Sequence, residues 1–173
     1  MPTLTRSTTR SHSRSARFEL LTHWHLDAPI EAVWDELTHP EHWPAWWPYM
    51  LEATRVAEGA PDGLGAVTRL RLRSLIGYGM SVQMRTVQIK RPHRLRGRAH
   101  GEFDGEGLWE LEADGATTRV SYLWSVDLKR PWMRLLTPLA APLFRWNHRG
   151  VMQAGGQGLA RHLGVRLLSA SAR

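Results

Sequence analysis

The stretch PLFRWNHRGVMQAGGQGLARHL, residues 142–163, decides the fold. Placed at 100° steps it gathers Leu143, Phe144, Asn147, Val151, Ala154, Gly155, Gly158, Leu159 and His162 on one face, with Arg145, Arg149, Gln153 and Gln157 opposite. At about 1.5 Å per residue such a helix runs roughly 33 Å, enough to cross a whole sheet. An interior proline removes a backbone hydrogen bond, so Pro138 and Pro142 predict a broken helical lead-in before a main helix from about Pro142 to Leu163. The inner face is apolar, small and sparsely polar. Each interior glycine costs about 1 kcal/mol relative to alanine. Gly150, Gly155, Gly156 and Gly158 therefore imply a compensating gain. Two gains fit, a close approach of helix to sheet or space left for a ligand; their number beneath a concave sheet favours a cavity.

Upstream, the chain alternates. Phe18, Leu20, Thr22, Trp24 and Leu26 share one face of a first strand, with Glu19, Leu21, His23 and His25 on the other. Asp27 is placed to cap a short helix with Pro29 near its first turn and Ile30, Val33, Trp34 and Leu37 at helical spacing. Prolines at 40, 44 and 48 break the next segment into a helical turn and a loop bearing Trp43, Trp46 and Trp47. Six further strands follow, at 51–57, 66–74, 80–89, 93–103, 108–113 and 117–127, separated by glycine-containing turns. In the fourth strand Met80, Val82 and Met84 keep one parity while Val87 and Ile89 keep the other. A bulge near Arg85 and Thr86 holds both sets inward. The fold class is therefore α+β: a seven-stranded curved antiparallel sheet around a long C-terminal helix, with two short helices between strands one and two.

Composition bounds the remainder. The chain has 173 residues, 42% of them hydrophobic, enough for one domain with a real core. Of the net charge of +7, four positive charges lie on Arg6, Arg10, Arg14 and Arg17, which leaves +3 for residues 18–173. Residues 1–17 read as a disordered basic tail, 18–168 as the folded domain and 169–173 as a flexible C-terminus. The apolar stretch from Leu135 to Phe144 is far shorter than the roughly 20 residues of a membrane span, so no stable membrane insertion is expected. There is no continuous apolar secretory leader and no cysteine, which fits a cytoplasmic location without disulfides or thiolate metal ligands. The oligomeric state is not legible.

Inward parity collects Trp24, Met80, Val82, Met84, Leu95, Trp109, Leu111, Val120, Tyr122 and Trp124, a set that suits irregular apolar ligands as well as it suits a packed core. Trp24, Met80, Val82, Met84, Trp109, Tyr122, Trp124, Asn147, Val151, Gly155 and Gly158 are the ligand-binding candidates. Trp43, Trp46 and Trp47 either close the cavity mouth or plug the end of the barrel. His148 and His162 are weak catalytic candidates, with Asn147 and Tyr122 as partners, because imidazole titrates near neutrality and can move a proton. His23 with His25, and His39 with His42, lack a third ligand, so neither a metal nor another cofactor is expected. The outer sheet face carries Arg69, Arg71, Arg73, Arg85, Arg94, Arg96 and Arg98 but no interleaved aromatics, which argues against nucleic acid.

Several stretches resemble a known superfamily. The first strand, then Ala28-Pro29-Ile30-Glu31-Ala32-Val33-Trp34, the His-Trp-Pro-Ala-Trp-Trp-Pro run at 42–48, the meander, and Trp146-Asn147-His148 followed by Met152 and Gly158-Leu159 are similar to START-like (SRPBCC) proteins, over residues 18 to about 165. Within that superfamily the likeness is to polyketide cyclase/dehydrase and lipid-transport members. The resemblance implies a helix-grip fold and a cavity for lipids, sterols, polyketides or aromatic compounds. It implies binding or carriage of a hydrophobic small molecule, or else a polyketide cyclase/dehydratase-type reaction in the same cavity. It supplies no catalytic set, and the Cys/His cluster motif of the ring-hydroxylating members is missing from this chain.

Overall fold

A computed structural model describes residues 17–127 and 137–173. Strand β1 (Arg17–Leu26) is followed by helix α1 (Ile30–Thr38), a 3-10 turn at Pro40–His42 and the short helix α2 (Trp43–Trp46). Strands β2 (Met50–Ala57), β3 (Val67–Arg73), β4 (Gly79–Lys90), β5 (Arg94–Gly101), β6 (Asp104–Asp114) and β7 (Thr117–Asp127) form an antiparallel meander. Helix α3 (Thr137–Leu163) then leads to strand β8 (Leu167–Ala172). The sheet order is β2-β3-β4-β5-β6-β7-β1-β8, so β1 returns beside β7 and the long helix lies under one curved sheet. The basic segment 1–16 lies outside the described residues.

Four details depart from the sequence expectations. Among the described residues the sheet has eight strands, because residues 167–172, read as the domain's last residues and part of a flexible C-terminus, pair antiparallel with β1 from Thr22↔Ala172 to Leu26↔Leu167. Arg17, assigned to the tail, is the first residue of β1 and pairs with Asp127. Asp27 does not cap α1; it accepts from the Arg166 guanidinium at 2.9 and 3.1 Å, while the Pro29 carbonyl accepts from the Ala32 and Val33 N–H groups. Helix α3 starts before Pro142 and carries that proline inside it. Pro142 lies in the second turn, where its missing N–H forfeits a single early backbone bond.

The β4 bulge falls between Thr86 and Gln88, so Val87 is the extra residue, one or two positions beyond the expected place. Inward alternation holds along the sheet: Leu20, Thr22, Trp24 and Leu26 of β1 are buried, as are Trp109 and Leu111 of β6. The densest part of the core is aromatic. Trp24, Trp34, Trp43, Trp46, Trp47 and Trp109 pack with Val33, Leu37 and Leu159 at one end of the space between helix and sheet. On the outer face arginines meet carboxylates on neighbouring strands: Arg71 with Glu52, Arg98 with Glu106 and Arg94 with Glu110.

Candidate functional site

Between the sheet and the N-terminal half of α3 lies a cavity of about 230 Å³. Met80, Val82 and Met84 of β4, Trp109 of β6, and Tyr122 and Trp124 of β7 line it from the sheet; Asn147, His148 and Val151 line it from the helix. Of the loop tryptophans, Trp43 and Trp47 reach its wall. These residues share a space because antiparallel register aligns them: Trp109 lies opposite Tyr122, and Tyr122 opposite Thr22.

The other candidates lie elsewhere, and tryptophan rings explain most of them. A Cβ on Gly155 would come 2.6 Å from the Trp47 indole, one on Gly156 2.9 Å from Trp24, and one on Gly158 1.7 Å from the Trp46 carbonyl oxygen. Those glycines permit close contact, and they leave no ligand space. Gly150 makes room for Leu75 in the same way. Trp24 is therefore a core residue under the helix, its indole packed on Trp47 and Trp109. Trp46 stacks on Trp47 at 5.4 Å and 12°, and Trp47 Nε1 donates to the Val151 carbonyl at 2.9 Å. The tryptophan loop is a buried plug at the closed end of the cavity. The stripe expected to run from Asn147 to Gly158 thus ends at Val151 and Met152. Leu143 also leaves the predicted inner face and is half exposed, since the buried stripe is turned toward Met152, Gly156 and Ala160.

The polar groups separate too. His162 lies on the far side of the plug, 3.4 Å from Glu36 and partly exposed, so it does not meet His148. Asn147 spends its Oδ1 on the Leu75 N–H at 2.7 Å, which ties the β3–β4 turn to α3. His148 Nε2 and the buried Thr22 hydroxyl are hydrogen-bonded at 3.1 Å. Burial pushes the imidazole down to about 4, so it is uncharged at neutral pH. Burial pushes the Tyr122 phenol up, and it also stays neutral. Among the described residues no group of three His, Cys, Asp or Glu side chains could hold a metal ion, and no helix is long and apolar enough to cross a membrane.

Sequence reasoning missed several lining residues. Phe18 and Phe144 stack at 6.1 Å across β1 and α3 and line the cavity with Phe103. Gly97 and Gly107, cross-strand partners on β5 and β6, leave room for the Met84 thioether and the Tyr122 phenol end. Their position inside strand patterns was the available signal, since a strand-interior glycine marks close approach by another group.

A curved antiparallel sheet gripping a C-terminal helix over an apolar cavity defines the START-like class. The chain belongs to the polyketide cyclase / dehydrase and lipid transport family, whose model matches residues 17–164. Among solved structures it is similar to the Zhui aromatase/cyclase from a Streptomyces species, with 14% identity, 86% of this chain and 94% of that one covered, and a TM-score of 0.72. It is similar to a START superfamily protein from Mycobacterium smegmatis, with 15% identity, 84% and 99% covered, and a TM-score of 0.67. It is also similar to the major latex-like protein 151 of Panax ginseng, with 14% identity, 84% and 97% covered, and a TM-score of 0.62. At such identities the likeness is one of fold. No protein of curated function matches the chain.

Proposed function

We propose that the protein binds or carries a hydrophobic small molecule in the cavity beside α3. The observation that carries this reading is the space of about 230 Å³ walled mainly by apolar side chains such as Met80, Val82, Met84, Trp109, Trp124 and Val151, with neutral Tyr122, Asn147 and His148 and the charged Arg55, Asp62, Arg73 and Arg96 also on its lining. Apolar walls with a few placed polar atoms are the usual make-up of a small-molecule site.

A second reading has support from the same place. His148, Asn147 and Tyr122 share one cavity, as a cyclase or dehydratase acting on a ketone would require. One experiment tests both. Native mass spectrometry against a panel of fatty alcohols, sterols, polyketide-like ketones and aromatic compounds is expected to give one-to-one complexes. Ligand recovered at unchanged mass supports carriage, and ligand recovered after loss of one water supports the enzyme. A panel in which nothing binds removes both.

A further inference from the structure

A second recess, of about 320 Å³, lies between α3 and the paired strands β1 and β8, and it shares no lining residue with the cavity. Arg149 and Gln153 form its helix wall, and Ala170 and Ala172 of β8 leave it room by their small side chains. Trp24 forms the inner wall. That residue is 2% exposed, and its indole N–H is buried without a hydrogen-bond partner. A buried donor left unpaired is unfavourable. The packing of the ring shows which way the donor faces. The indole rests on Trp47 and Trp109 in the core, while a Cβ on Gly156 would stand 2.9 Å from both Cδ1 and Nε1. The N–H edge is therefore turned to α3, where Arg149, Gln153 and Gly156 follow one another along a single helix face.

The recess is rich in donors and holds no negative charge. Arg149 gives its Nε–H to the Ala172 carbonyl at 3.2 Å, and among the described residues no carboxylate pairs with its guanidinium. Gln153 is exposed and makes no hydrogen bond among the described residues. The Thr22 hydroxyl on the same wall is already engaged with His148, and no Asp or Glu lines the space. Guanidinium, amide and indole N–H groups that converge without a counter-charge match the acceptor atoms of an oxyanion. Strand β8 begins at Leu167, beyond the residues the family model matches, so family membership does not supply this recess. We propose that Arg149, Gln153 and Trp24 form a site for a small oxyanion, a carboxylate or phosphate group, between α3 and β8. Arg149 supplies the charge, and the exposed side chains of Arg149 and Gln153 turn to admit the anion to the indole N–H.

The test titrates inorganic phosphate, benzoate and the neutral benzyl alcohol into the nitrogen-15-labelled protein at pH 7.5 and low ionic strength, following the assigned indole N–H resonances. At least one of the two anions is expected to move the Trp24 indole proton downfield with a saturable curve, while the indole of Trp124 on the cavity wall stays in place. Benzyl alcohol is expected to leave Trp24 where it is. Arg149→Gln removes the charge from an exposed side chain and is expected to weaken anion binding by about tenfold or more. The wild-type resonances give a readout that does not depend on the variant. A Trp24 resonance that neither anion moves, an equal shift with benzyl alcohol, or an anion affinity unchanged in Arg149→Gln overturns the inference. Because the recess is separate from the cavity, either result leaves the cavity-binding reading as it stands.

Discussion

The two halves of α3 face the same sheet and do opposite things with small side chains. From Gly155 to Gly158 the missing Cβ atoms let Trp24, Trp46 and Trp47 press onto the helix backbone. From Phe144 to Val151 the residues facing the cavity, Phe144, Asn147, His148 and Val151, are larger, yet space remains between them and the sheet. Within the helix the glycines at 155, 156 and 158 therefore mark the solid end, whereas at the hollow end the space lies between a helix face bearing Phe144 and Val151 and a sheet wall of stacked rings and methionines seated over Gly97 and Gly107. Residue size read from one element says little until the residue across from it is known.

The largest expected break in this contrast is Gly158→Ala. Helix propensity alone favours alanine by about 1 kcal/mol. The added methyl would instead stand 1.7 Å from the Trp46 carbonyl, a backbone atom that cannot swing aside. A net loss of about 3 kcal/mol or more is expected, read as the shift in urea midpoint. A stabilised variant would show that the helix and the tryptophan loop do not touch here.

Next in size is the response of the hollow end to acid. His148 is held at about 4 in the folded chain against an ordinary 6.5, so between those values the unfolded chain binds the extra proton. Stability is complete above pH 6.5 and falls by about 3 kcal/mol as pH drops through that window. His148→Leu is expected to flatten that part of the stability profile. An unchanged profile in the variant would place the acid sensitivity elsewhere.

The smallest effect on stability is expected from Val151→Phe, whose added atoms enter space that is already empty. It is expected to cost about 1 kcal/mol or less while lowering ligand affinity at least tenfold, a split visible by pairing thermal melting with calorimetry. The same enlargement at Gly155, against the Trp47 ring at 2.6 Å, should affect stability first.

Much of the fold was legible because a strand with one buried face writes its alternation into the chain. Phe18 to Leu26 and Thr117 to Asp127 are plain examples, and even the β4 bulge follows from the change of parity between Met84 and Val87. Strand β8 was not legible: its Leu-Leu-Ser-Ala-Ser-Ala sequence is short and mostly small, and its place is set by the open edge of β1. Membership of the cavity wall was legible for Met80, Val82, Met84, Trp109, Tyr122 and Trp124, where parity alone decides the facing. It failed for Trp24, Gly155 and Gly158, because the tryptophan loop that covers them is broken by prolines and carries no period from which its path could be read. Thr22 was placed inward, but its pairing with Tyr122 and His148 depends on register and on helix rotation, which are tertiary.

The rings described above also form an unbroken row. From Trp124 to Tyr122, Trp109, Trp47 and Trp46 the successive centroids are 6.2, 4.0, 6.5 and 5.4 Å apart. Tyrosine passes excitation on to tryptophan but does not receive it back, so the indoles of Trp46, Trp47 and Trp109 exchange it among themselves, and light absorbed in the solid end reaches Trp109 on the cavity wall before it is emitted. The protein thus carries its own optical gauge: an absorbing guest beside Tyr122 would dim the emission of tryptophans it never touches.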